Sequence, residues 1–64
     1  MLFEIKASEY VNLKHVAFLS LGRYDPYSST YSFVEVTMTS GIKMTFERVE
    51  NIVVVNMKAK MGEL

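Results

Sequence analysis

Residues 31–47 read YSFVEVTMTSGIKMTFE, and this stretch has the pattern of a β-hairpin. Val34, Val36 and Met38 alternate with Glu35, Thr37 and Thr39; then Ile42, Met44 and Phe46 alternate with Lys43, Thr45 and Glu47. A period of two is the signature of half-buried strands. The turn fixes the register. A two-residue Ser40-Gly41 loop would set the apolar row of one strand beside the polar row of the other. A three-residue loop, Thr39-Ser40-Gly41, instead places Met38 opposite Ile42, Val36 opposite Met44, Val34 opposite Phe46, Thr37 opposite Lys43 and Glu35 opposite Thr45. Gly41 then takes the third loop position, where a left-handed conformation is required and glycine adopts it without a Cβ clash.

Sixty-four residues are expected to form a single small domain, residues 1–64. By surface scaling, a chain of this mass buries about 6,000 Å² on folding, roughly 60% of it apolar. At about 25 cal/mol/Å² that contributes about 90 kcal/mol, against a conformational entropy cost of about 95 kcal/mol. The terms nearly cancel. With no cysteine and one histidine, His15, neither disulfides nor a structural metal is expected to make up the difference. Association is the remaining route, and a 50% hydrophobic composition is more than a monomer of this size easily hides.

Seven basic and seven acidic residues give a formal net charge of zero. Lys6, Lys14, Arg23, Lys43, Arg48, Lys58 and Lys60 are spread along the chain, which disfavours a phosphate-tracking surface. Glu4 and Lys6 follow Met1-Leu2-Phe3 at once, so no signal-peptide core is read, and no apolar run has the length of a membrane span. A cytoplasmic protein is expected.

Before the hairpin, Leu2 to Ala7 reads as a first strand, with Phe3, Ile5 and Ala7 on one face and Glu4 and Lys6 on the other. Ser8-Glu9 breaks it. Tyr10 to Leu13 suits either a bend or a short strand, with Asn12 as a turn residue, and His15 leads into the next strand as a partly exposed residue without a catalytic partner. Val16 to Tyr24 reads as a strand with no clean polar side. Val16 and Phe18 fall on one face, Ala17, Leu19 and Leu21 on the other, which suits a strand in the middle of a sheet. Gly22 within it marks a bulge or a close backbone approach.

The loop Asp25-Pro26-Tyr27-Ser28-Ser29-Thr30 follows. Pro26 fixes its own φ, and Asp25 can accept hydrogen bonds from the loop backbone. Tyrosine and serine together give large amphipathic contact area at low entropic cost. Arg23, Tyr24, Asp25, Tyr27, Tyr31 and Phe33 are therefore the candidate binding residues.

The tail from Arg48 to Leu64 supports two readings. As a strand, Val55, Met57, Ala59 and Met61 alternate with Asn56, Lys58 and Lys60. As a helix, Val49, Val53, Met57 and Met61 form an i, i+4 stripe flanked by Val54 and Leu64. Glu47 and Glu50 would then sit in or near the first turn, Lys58 and Lys60 in the last, and Gly62 at a left-handed cap. The helix is preferred because an apolar sheet face needs a second layer. The expected fold class is thus α+β, a small antiparallel four-stranded β-meander with a C-terminal helix packed on one face. The alternative is an all-β chain of five strands in a small barrel. On the helical reading Ile52, Val55 and Ala59 form a second apolar patch, the candidate oligomer interface.

Chemistry is sparse. One histidine, one aspartate and no cysteine leave only Ser or Thr with His15 and Asp25 for a nucleophilic triad, and no spacing joins them. The glutamates read as solvating charges. No glycine-rich phosphate loop, metal-ligand spacing or nucleophile elbow is present, so no enzyme, cofactor, catalytic residue or metal site is expected. The expected function is a small interaction protein, an inhibitor or adaptor, acting as a homo-oligomer on a protein partner. One alternative is a small-molecule or nucleotide binder with a pocket between subunits, its tyrosines stacking on a ring and Arg23 or Lys43 meeting an anion. A second is a binder of single-stranded nucleic acid through Tyr31 and Phe33, which neutral charge disfavours.

Overall fold

The alternation around Val34 and Val36 builds the strand on which the sheet is assembled. In the computed structural model, which describes residues 1–63, this strand is β5, Thr30–Met38. It follows β1 Leu2–Lys6, β2 Glu9–Asn12, a 3-10 turn Leu13–His15, β3 Val16–Leu21 and β4 Tyr24–Asp25, and precedes β6 Lys43–Glu50 and α1 Asn51–Gly62. β3 and β4 both pair with β5 along one edge, and β6 pairs with it along the other. All these pairings are antiparallel. The four strands and the C-terminal helix make an α+β meander whose sheets stay open, which removes the barrel alternative.

The central hairpin has the register set by its three-residue loop. Val34 pairs with Phe46, Glu35 with Thr45, Val36 with Met44 and Thr37 with Lys43. Met38 N donates to Ile42 O at 2.8 Å, Gly41 N donates to Met38 O at 2.9 Å, and Gly41 has a φ of 93°.

The membership of the sheet differs from the sequence reading. β1 pairs with β2 in a separate two-stranded ribbon, and the fourth strand of the larger sheet is the short β4. Tyr10–Asn12 are strand, Ala7 and Ser8 form the turn, and Ser8 takes a left-handed φ of 62° while its N–H donates to Glu4 Oε2 at 3.0 Å. Asn12 is the expected turn residue, its Oδ1 capping Lys14 N at 3.1 Å. His15 ends the 3-10 turn and is exposed.

β3 departs most from expectation. It lies at the edge of the sheet, and Ala17 and Phe18 are exposed. The register shifts between Val16 and Phe18. That bulge turns Val16 onto the core side with Leu19 and Leu21 and leaves Phe18 outside, so Val16 and Phe18 do not share a face. Gly22 is a close approach, since a Cβ there would stand 2.4 Å from the Phe33 ring.

The helix occupies Asn51–Gly62, while Arg48, Val49 and Glu50 belong to β6, as does Glu47. Val54 and Met57 are buried in a core shared with Ile5, Val11, Leu13, Val34, Val36, Phe46 and Val49. The ribbon, the sheet and the helix therefore close on one cluster. Ile52, Val55 and Ala59 point to solvent. Gly62 is not a left-handed cap: Glu63 closes the helix in a right-handed conformation with its N–H on Lys60 O at 3.1 Å. That 3-10-type bond satisfies one of the carbonyls that a helix end leaves open. Leu64 lies outside the described residues. No helix among them is long and apolar enough to cross a membrane.

Candidate binding site at the tyrosine hairpin

Asp25 builds the loop between β4 and β5. Its Oδ1 accepts from Tyr27 N at 3.0 Å and its Oδ2 accepts from Ser28 Oγ at 3.0 Å. The Ser28 and Thr30 hydroxyls are 2.7 Å apart; because the Ser28 proton goes to Asp25, Thr30 is the donor of that pair. Both carboxylate oxygens are thus committed to the loop. Ser29 takes a left-handed φ of 54°, and its carbonyl accepts Asn51 N at 2.8 Å. That bond ties the loop to the first turn of α1 and satisfies one of the N–H groups that a helix start leaves open.

The tyrosines divide by role. Tyr24 and Tyr31 are a cross-strand pair with ring centroids 5.1 Å apart and planes tilted by 51°, a favourable aromatic geometry. Tyr31 is half-buried against the core. Tyr27 is 99% exposed at the tip.

Beside the pair is an open concavity of about 760 Å³ whose lining includes Arg23, Tyr24, Asp25, Tyr27, Tyr31, Arg48 and Glu50. Five of the six candidate binding residues thus come together. Phe33 does not line it: its ring lies across Gly22 instead. Nor does Lys43, which pairs with Thr37 near the other loop. All of the lining residues come from one chain.

Arg48 is the residue that sequence reasoning missed. Its φ is 54°, a left-handed value that costs a non-glycine residue about 1–2 kcal/mol. The effect is a change of phase in β6. Phe46 and Val49 are both buried with two exposed residues between them, so Val49 reaches the core while Arg48 and Glu50 border the concavity. The sequence carries only a trace of this, in that Val49 breaks the period set by Met44 and Phe46 without saying which residue turns the backbone. Two arginines, Asp25 and Glu50 leave the lining formally neutral, suited to mixed polar and aromatic contact. Among the described residues no cluster of three or more His, Asp or Glu is placed to hold a metal. Compared with protein-family models, curated proteins and solved structures, the chain matches none.

Proposed function

We propose that this chain is a small non-enzymatic interaction protein, of the inhibitor or adaptor kind, that acts in the cytoplasm as a homo-oligomer and engages a protein partner through the tyrosine hairpin. One observation carries the reading: Tyr27 is almost fully exposed on a turn whose shape is fixed by the Asp25 carboxylate. An outward tyrosine has only two side-chain torsions to fix on binding, and it is the residue type that anchors interfaces. Tyr24, Tyr31 and Arg23 surround it with further contact area. Two exposed apolar surfaces are available for assembly, Ile52, Val55 and Ala59 on α1 and Phe18 on β3. The test is a photo-reactive phenylalanine analogue at position 27. It should cross-link one protein that the purified wild type binds at least tenfold more tightly than Tyr27→Ala does. A folded Tyr27→Ala protein with undiminished affinity for every cross-linked species would remove the hairpin from the account.

The concavity beside the Tyr24–Tyr31 pair supports a second reading, a small aromatic ligand carrying an anionic group, with the tyrosines contacting its ring and Arg23 and Arg48 its charge. Melting curves across a nucleotide panel test it. A shift lost in Arg48→Ala is expected on this reading, and no shift with any nucleotide counts against it.

A further inference from the structure

The composition of β3 and its position disagree. Val16–Leu21 contain no charge and no proline, and Ser20 is their one polar residue. Such a strand belongs in the interior of a sheet, flanked on both sides. β3 nevertheless has β5 on one side and, among the described residues, no strand on the other. Its outer edge presents a row of main-chain N–H and C=O groups of the kind that proteins ordinarily guard with lysine, proline or a covering segment.

The opposite edge is guarded. β6 carries Lys43, Glu47, Arg48 and Glu50, β1 packs beside it, and Lys6 Nζ donates to the Glu47 carbonyl. The bulge of β3 sits at Ala17, so Phe18, Leu19, Ser20 and Leu21 keep one regular register against Thr37, Val36, Glu35 and Val34. Phe18 is 53% exposed on this strand. The helix patch offers apolar area but no open sheet edge. β3 offers both.

We infer that two copies of this chain join by antiparallel pairing of β3 with β3 about a two-fold axis, making one continuous sheet across the dimer. A second copy suits this edge because a strand without charges meets itself with no like charges opposed, and a neutral chain adds no long-range repulsion. A two-fold contact uses the same surface on both copies, so pairing through β3 closes the assembly at two. Registers that set Leu19 opposite Leu19 or Leu21 of the second copy keep the leucine row on the core side. The pairing rests on the homo-oligomer part of the reading above but not on the tyrosine hairpin, so loss of dimer formation and loss of Tyr27-dependent partner binding are read separately.

Native mass spectrometry and sedimentation of the full chain test the pairing, with Ala17→Lys and Phe18→Lys placing a charge on β3 and Val55→Lys placing one on α1. The wild type and Val55→Lys are expected to be dimers, and the two β3 variants to dissociate with a dimer constant raised at least tenfold. As a check that needs no variant, amide exchange in Leu19–Leu21 should slow as wild-type concentration rises through the dimer constant. A wild-type monomer, an open series beyond two, dissociation by Val55→Lys alone, or exchange in β3 independent of concentration would each overturn the inference.

Discussion

The two loops at the ends of β5 solve the same problem by different means. Thr39-Ser40-Gly41 turns the chain through backbone geometry, with Gly41 at a φ of 93° and the Met38 carbonyl accepting its N–H. Residues 26–29 turn it through side-chain chemistry, with Asp25 holding Tyr27 N and the Ser28 hydroxyl while Ser29 anchors Asn51. A turn built by a glycine needs no particular neighbours and presents little. A turn built by a carboxylate leaves its tip free for a large side chain, and Tyr27 occupies it. That difference locates the candidate function at one end of the sheet.

Breaking the glycine turn has the largest expected effect on stability. Gly41→Val sets a β-branched residue at a left-handed φ, although a Cβ there meets nothing within 4 Å, so the cost is conformational. A loss of about 2 kcal/mol, read as a melting temperature lower by about 10 °C, is expected. An unchanged melting temperature would mean that the loop has another accessible shape. Asp25→Ala comes next. It removes two hydrogen bonds at an exposed site and should cost about 1 kcal/mol, with faster amide exchange at Tyr27 and Asn51 as the loop loosens. Exchange unchanged at both would show that the carboxylate does not hold the turn. The smallest stability effect belongs to Tyr27→Ala, within about 0.5 kcal/mol of wild type by chemical denaturation because the ring touches little. A larger loss would make Tyr27 a structural residue and weaken its reading as a contact.

The same contrast explains what the sequence made legible. The Gly41 hairpin could be read to the residue because matching apolar rows left one loop length, and the hydrogen-bonding role of Asp25 followed from its place before proline. The C-terminal helix was legible from its stripe and from the sheet's need for cover. Arg48 was not, because its left-handed backbone follows from Val49 reaching the core, a tertiary demand that overrides period two. Phe33 was grouped with the tyrosines through proximity along the chain, whereas the sheet places its ring on Gly22. The edge position of β3 was hidden for a different reason: its residues carry the composition of an interior strand. The separate β1–β2 ribbon escaped because a short strand with weak alternation does not declare its partner.

The Asp25 hydrogen bonds are expected to hold the tyrosine hairpin as a rigid platform for its tip. Backbone ¹⁵N relaxation at residues 27–30 measures this directly. Order parameters near the rigid-backbone value of about 0.85, falling in Asp25→Ala, are predicted. Values below about 0.6 in the wild-type protein would show a mobile loop and contradict the claim.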